Sequence, residues 1–243
     1  MQNLSIDIGN SYTKIAVFEN KNIIHYKRYN EFKQSDLAHI LKDFKIKNSV
    51  ISTVDEDIVE LEAYLRLNTN YTRFTTKLSN GVKNNYGSPN TLGLDRWAAV
   101  IAAKSLGLSS YCLVIDAGTC ITYDILTANS TYFGGSISPG INMRFKAMHE
   151  FTGRLPLVSW DVNDIIPEGS NTHNAIRNGV LQGVLNEIEG FIAHYNNEEA
   201  TLKVILTGGD AEFLFKQLQN SIFAPQIIIE PYLVLKGLNE VIA

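Results

Sequence analysis

The chain opens on three short runs rich in β-branched and aromatic residues, Asn3 to Ile8, Thr13 to Glu19 and Ile23 to Tyr29, parted by turns bearing Gly, Asn and Ser. Runs of this kind predict a meander of three strands. The period then changes. Leu37, Ile40, Leu41 and Phe44 recur at helical spacing behind Ser35, which predicts an amphipathic helix capped by Ser35. A strand at Asn48 to Thr53 and a helix carrying Ile58, Leu61, Tyr64 and Leu65 follow. From Leu78 to Leu92 the chain is rich in Asn, Gly, Ser and Pro, the composition of an exposed connector or binding loop, and a helix begins near Asp95. Strand patterns return at Tyr111 to Ile125 and Thr131 to Ile137 and lead through a Gly-rich turn, Gly134 to Gly140. A long helix is predicted from about Thr172 to Tyr195, where Ile176, Val180, Leu181, Val184, Leu185, Ile188 and Ile192 form one apolar stripe. The chain then reads strand (Leu202 to Leu206), Gly208-Gly209 turn, helix, strand (Ile222 to Ile229) and helix.

Two of these hairpins share a sequence. Leu4-Ser5-Ile6-Asp7-Ile8-Gly9-Asn10-Ser11-Tyr12-Thr13 returns as Leu113-Val114-Ile115-Asp116-Ala117-Gly118-Thr119-Cys120-Ile121-Thr122, with Leu, Ile, Asp, Gly and Thr in register. In each copy an apolar strand delivers an Asp to its end, and a Gly lets the backbone reverse. Successive turn N–H groups make an anion cradle, while Asn10, Ser11, Thr13, Thr119 and Thr122 add donors. The two carboxylates can hold a cation against phosphate oxygens. One Asp-x-Gly turn is ordinary turn chemistry; two matched copies imply a duplicated domain whose acidic turns grip one polyphosphate.

Composition narrows the class. With 243 residues, 45% of them hydrophobic, the chain can bury two moderate cores, so lobes at 1–107 and 108–243 are expected. A net charge of -4 without a basic run gives no footprint for nucleic acid or an anionic membrane. The first strand follows Met1 almost at once and no apolar stretch approaches the roughly 20 residues of a membrane span, so a cytoplasmic protein is expected. Cys112 and Cys120, the only cysteines, argue against a disulfide scaffold; Cys112 reads as a buried apolar residue and Cys120 as an accessible one in the second cradle. The five histidines lack transition-metal spacing.

The βββαβα order of the first half is that of a ribonuclease H-like lobe. With two acidic hairpins and a later strand ending in Leu206-Thr207-Gly208-Gly209-Asp210, the chain resembles the sugar kinase, heat-shock ATPase and actin superfamily. The implied fold is α/β, a duplicated ribonuclease H-like (actin-like ATPase) fold of two lobes with a nucleotide cleft between them. In that superfamily a Gly-Gly turn approaches the adenosine. Neither a P-loop nor a dinucleotide fingerprint is present.

Asn85-Tyr86-Gly87-Ser88-Pro89-Asn90-Thr91-Leu92-Gly93-Leu94-Asp95-Arg96, taken with Gly134-Gly135-x-Ile137-x-Pro139-Gly140, resembles type III pantothenate kinase, an enzyme of coenzyme A biosynthesis. Thr172-x-x-Ala175-Ile176 and Pro231-Tyr232-Leu233-x-Leu235-x-Gly237-Leu238 extend the likeness nearly end to end. Read alone, Asp95 would be a helix-dipole charge and Arg96 a surface residue. The resemblance implies more: Asp7, Ile8, Gly9, Asn10, Ser11, Tyr12, Thr13 and Lys14 bind ATP, with Asp7 supporting Mg²⁺ indirectly and Thr119 as a second nucleotide contact. Asp95 becomes the catalytic base; Tyr86, Gly93, Leu94, Asp95, Arg96 and Thr172 line the pantothenate site, Arg96 being the counterion for an acidic substrate. Asp116 binds a monovalent cation, K⁺ or NH₄⁺. Ser11 departs from the family's usual Thr, and Cys120 from its usual Ala. The implied product is 4'-phosphopantothenate, and the short lobes imply a homodimer that closes the acceptor pocket. Another small-molecule kinase or phosphatase of the superfamily, and a non-catalytic nucleotide-binding regulator, are the alternatives; Tyr86, the Gly93 to Arg96 motif and the base Asp95 speak against them.

Overall fold

A computed structural model describes residues 1–53, 58–107, 111–196 and 202–243. The contacts divide the chain into two compact units: Met1–Gly107 with Ser130–Phe133 and Tyr232–Ala243, and Leu108–Asn129 with Gly134–Pro231. The stretches expected from sequence broke once, at 107/108, whereas the contacts return the C-terminal segment to the first unit.

In the first unit, β1 (Gln2–Ile8), β2 (Thr13–Glu19) and β3 (Asn22–Tyr29) form the predicted meander. Helix α1 (Gln34–Asp43), β4 (Ile46–Thr53), α2 (Val59–Asn68) and β5 (Asn70–Arg73) follow. The sheet order is β3-β2-β1-β4-β5, with β1 antiparallel to β2 and parallel to β4. Leu4, Ile6, Ile15, Val17 and Ile51 meet Leu37, Ile40 and Leu65 of the two helices in one core. Residues 54–57, within the predicted approach to α2, lie outside the described residues. The N-cap of α1 is Lys33 and not Ser35, because the Asp36 carboxylate accepts from the Lys33 N–H at 3.0 Å and so closes the first turn two residues earlier than the hydroxyl would.

The loop from Leu78 carries a short strand β6 (Lys83–Asn84) and a 3₁₀ turn at Pro89–Thr91, then enters α3 (Leu94–Ser105). Every α3 residue from Arg96 to Ala103 is buried. Helix α7 (Leu233–Glu240) packs against α3 and over β1, β2 and β4. Polar bonds hold it there: Asn3 Nδ2 donates to Asn239 Oδ1 at 3.0 Å, Asn239 Nδ2 to the Asn20 carbonyl at 3.0 Å, and Asn48 Nδ2 to the Ile242 carbonyl at 3.1 Å.

The second unit repeats the plan. Strands β7 (Cys112–Ala117), β8 (Cys120–Leu126), β9 (Thr131–Pro139), β10 (Lys203–Thr207) and β11 (Ile227–Ile229) run in the order β11-β10-β7-β8-β9. The first residues of β9 belong to the first unit, where Thr131 and Tyr132 pair with β6. Antiparallel β7/β8 and parallel β7/β10/β11 reproduce the first sheet's pattern. The stripe predicted on the long helix, now α5 (Thr172–Asn196), is buried as read and joins Leu113, Ile115, Ile121, Leu206 and Phe213 in the second core. Helix α6 (Ala211–Gln217) follows β10.

Two expectations change here. Gly134 to Pro139 is the body of β9 rather than a turn: a Cβ on Gly135 would overlap the Tyr123 carbonyl, so the glycine serves close strand packing. The chain turns instead at Gly140, the N-cap of a helix the pattern did not announce, α4 (Ile141–Glu150). Likewise, Ile222 to Ile229 is strand only over Ile227–Ile229, because Pro225 lies in a 3₁₀ turn at Ala224–Gln226 and offers no N–H to a ladder.

Candidate active site

The first acidic turn is built by the β1/β2 ladder, in which Asp7 faces Lys14 and Ile8 faces Thr13. The loop closes through the Gly9 N–H, which donates to the Tyr12 carbonyl at 3.1 Å. Asp7 is 8% exposed and Thr13 7%, while Gly9, Asn10, Ser11 and Tyr12 lie open to solvent. Arg28, beside Lys14 on β3, places its guanidinium 4.4 Å from the Tyr12 ring centre. Ile8 to Thr13 line a cavity of about 280 Å³ with Asn30, Phe32, Ile58 and Leu61. Those last four were missed from sequence, since they converge from the end of β3 and the start of α2.

The acceptor motif forms a second group in the same unit. Gly93 caps α3, and Asp95 in its first turn is exposed, its Oδ1 accepting from the Arg96 N–H at 2.8 Å. Arg96 is not a surface residue: it is 5% exposed, with its guanidinium 5.7 Å from the Tyr86 ring centre. Tyr86 stacks on Tyr132 at 6.0 Å, and Tyr132 meets Trp97 at 5.7 Å, whose indole N–H donates to the Leu78 carbonyl at 2.7 Å. The structure therefore brings Tyr86 and Gly93 to Arg96 together, a buried cation beside an aromatic face and an exposed carboxylate one residue before it.

The second acidic turn belongs to the second unit and is tighter than its sequence twin. Strand β8 begins at Cys120, and the Gly118 N–H donates to the Cys120 carbonyl at 2.9 Å. Asp116 pairs with Thr122 on β8 and with Thr207 on β10, so the three side chains share one face of the sheet. The Thr122 hydroxyl is buried and has no hydrogen-bond partner among the described residues. Gly208, at φ +98°, lies so close that a Cβ there would stand 2.5 Å from Asp116 Oδ1 and nearer still to the Ala117 carbonyl. The Asp210 N–H donates to that carbonyl at 3.0 Å, and burial pushes the Asp210 carboxyl up to about 6. Thr119 is exposed at the tip, its carbonyl accepting from the Gly140 N–H at 3.2 Å. Thr172 is exposed at the first position of α5. Burial pushes the Cys112 thiol up to about 12, while Cys120 is partly exposed.

Paired sheets of the same order, each with an acidic turn after its first strand, define the sugar kinase and actin-like ATPase class, a duplicated ribonuclease H-like fold. A solved structure described as a Sinorhizobium meliloti 2-dehydro-3-deoxygalactonokinase shares this fold at a TM-score of 0.58, with 12% identity over 98% of this chain and 97% of that one. Another, described as a Baf family transcriptional activator from Campylobacter jejuni, matches at a TM-score of 0.62 and 25% identity over 98% of this chain and 96% of that one. The chain belongs to the type III pantothenate kinase family, whose model matches residues 3–194. The type III pantothenate kinase of Phocaeicola vulgatus is 40% identical to it over 243 residues, 99% of this chain and 98% of that protein.

Proposed function

We propose that the protein phosphorylates the primary alcohol of pantothenate with ATP, yielding 4'-phosphopantothenate and ADP in the first step of coenzyme A biosynthesis. The observation that carries this reading is the acceptor motif: Arg96, buried against Tyr86, supplies a fixed positive charge for the substrate carboxylate beside the exposed carboxylate of Asp95. Asp95 takes the hydroxyl proton as the alcohol oxygen attacks the γ-phosphorus, the bond to the β-bridging oxygen breaks, and ADP leaves. Such a transfer is accelerated chiefly by positioning and by neutralising phosphate charge. Backbone amides of Asn10 to Tyr12 with the Asn10, Ser11, Thr13 and Lys14 side chains are proposed to hold the phosphates, with Thr119 of the second turn as a further nucleotide contact.

The donor set of the first turn suits Mg²⁺ carried with ATP, Asp7 acting through the ion's waters, since Mg²⁺ keeps much of its hydration. For the second turn we propose a monovalent cation, K⁺ or NH₄⁺, on Asp116. The Thr122 hydroxyl on the Asp116 face, without a hydrogen-bond partner among the described residues, and Thr207 on the other side of Asp116 support an oxygen-rich site for a large, weakly demanding ion. Bound there, the ion would lessen the repulsion between Asp116 and phosphate.

Thr172 is proposed to complete the acceptor pocket, with a second copy of the chain closing it. Exposed apolar side chains between α4 and α5, Phe151 at 88% and Ile165 at 87%, give such a copy a surface to bury. Among the described residues no helix is long and apolar enough to cross a membrane, and the family's metabolic role suits a cytoplasmic enzyme. The decisive experiment is ADP release measured with pantothenate present and omitted. Release that depends on pantothenate is the expected result; release independent of it, or none in the presence of K⁺ and Mg²⁺, would overturn the assignment.

A further inference from the structure

Glu187, on α5, holds a carboxylate that three side chains share. Its Oε1 accepts from the Tyr123 hydroxyl at 2.7 Å and the Ser138 hydroxyl at 2.5 Å, and its Oε2 from an Arg144 terminal nitrogen at 2.6 Å. Those donors come from β8, from the end of β9 and from α4. Burial alone would raise the carboxyl's pKa, yet the bonds from Ser138, Arg144 and Tyr123 and the charge of Arg144 hold it below the ordinary carboxylate value. The pair is thus an ionised anchor, on a helix whose neighbouring Val184, Leu185 and Ile188 are set in the core.

Arg144 carries the anchor onward. Its Nε donates to the Pro139 carbonyl at 2.8 Å, which fixes the backbone one residue before Gly140. The Gly140 N–H bonds the Thr119 carbonyl, and a Cβ on Gly140 would stand 2.5 Å from that same oxygen and closer to the Gly118 carbonyl. Gly140, next to the backbone that Arg144 holds, is therefore flush against the tip of the second acidic turn. Tyr123 fixes the same turn from its other end, further along β8, with its ring stacked 3.9 Å from Phe191.

We propose that Glu187 and Arg144 are positioning residues for the second acidic turn, setting nucleotide affinity through the Ser138–Gly140 backbone without touching the nucleotide themselves. The inference rests on the reading of Thr119 and its turn as a nucleotide contact. Binding amides are useful only when held within about 0.5 Å of their productive geometry, and a charge-assisted pair on a rigid helix provides such a hold where a hairpin tip alone does not. Tyr86 and Gly93 to Arg96 belong to the other unit, and Thr172, the acceptor residue of this one, lies about four helical turns from Glu187 along α5, so the effect falls chiefly on the nucleotide.

The test is calorimetric titration of Mg·ADP into folded Arg144→Gln, alongside Michaelis constants for ATP and pantothenate. Loss of the charged clamp is expected to weaken ADP binding about tenfold and raise the ATP constant in parallel, with the pantothenate constant held within about twofold. Arg144→Lys should regain only part, because an ammonium lacks the fork that reaches both Glu187 and Pro139. Ser138→Ala removes one bond to Glu187 and decides the matter if Arg144→Gln does not fold; about a threefold loss of ADP affinity is expected. Unchanged ADP affinity in the folded variants, or ATP and pantothenate constants that shift together, would overturn the proposal. A wild-type protein that binds ADP but does not phosphorylate pantothenate would refute the kinase assignment alone, whereas one that binds no ADP would remove both.

Discussion

Gly208 and Gly209 are adjacent and identical residues, yet alanine should destabilise the protein at the first and be neutral at the second. At Gly208 the φ of +98° favours glycine, and an L-residue there costs about 1–2 kcal/mol. Its Cβ would also stand 2.5 Å from Asp116 Oδ1 and closer to the Ala117 carbonyl, so β7 and the turn after β10 would have to part. Overpacking of that kind costs about 1–3 kcal/mol, which gives a total of about 2–5 kcal/mol. At Gly209 φ is not in the left-handed region and a Cβ meets nothing within 4 Å, so Gly209→Ala should lie within about 0.5 kcal/mol of wild type. Thermal and urea unfolding of the two variants provides the assay. Gly208→Ala should lose at least about 5 °C in Tm, with Gly209→Ala unmoved. The displaced Asp116 carboxylate should also weaken activation by K⁺ in Gly208→Ala. Equal melting temperatures for the two variants would refute the argument, because the positive φ and the contacts with Asp116 and Ala117 are what distinguish the two sites.

Asp95→Asn keeps the shape of the acceptor motif and removes its basicity, so turnover should fall by about 10² to 10⁴ while ADP still binds; near-normal turnover would exclude Asp95 as the base. Activity in Na⁺ should be low and rise when K⁺ or NH₄⁺ replaces it at constant ionic strength, and Asp116→Ala should abolish that response; equal rates in all salts would dispose of the cation site. Because the folded-state pKa of Asp210 is raised from 3.8 to about 6, the folded protein retains a proton in that window that the unfolded chain releases, and stability contributed by the neutral carboxyl is lost as pH rises through it. Asp210→Asn should therefore gain Tm over wild type as pH rises from about 4 to about 6 and keep that gain above it, and a pH-independent difference would show that the carboxyl is not held by burial.

The repeated hairpins, the order of strands and helices in the first half, and the stripe on α5 were all legible in the chain, because each depends on local periodicity or on a short turn signature. Leu4 and Ile6, the apolar residues of β1, are core. The alternate residues Asn3, Ser5 and Asp7 are polar, yet they are 3%, 0% and 8% exposed. Helix α7, from the far end of the chain, lies over β1 and meets Asn3 through Asn239. Arg96 changed from surface to interior in the same way, and its place beside Tyr86 was implied by family likeness and not by spacing. The glycines of β9 read as a turn because their reason lies in the Tyr123 carbonyl on the neighbouring strand. Glu187 and Arg144 carried no signal at all, being far apart in sequence and joined only through space. Sequence by itself thus determined the elements, the duplication and the two acidic turns, since these follow from contacts within a few residues. Which polar residue is buried, which glycine is indispensable and which charges meet were decided by the tertiary structure, because close packing and the pairing of buried polar groups depend on neighbours distant along the chain.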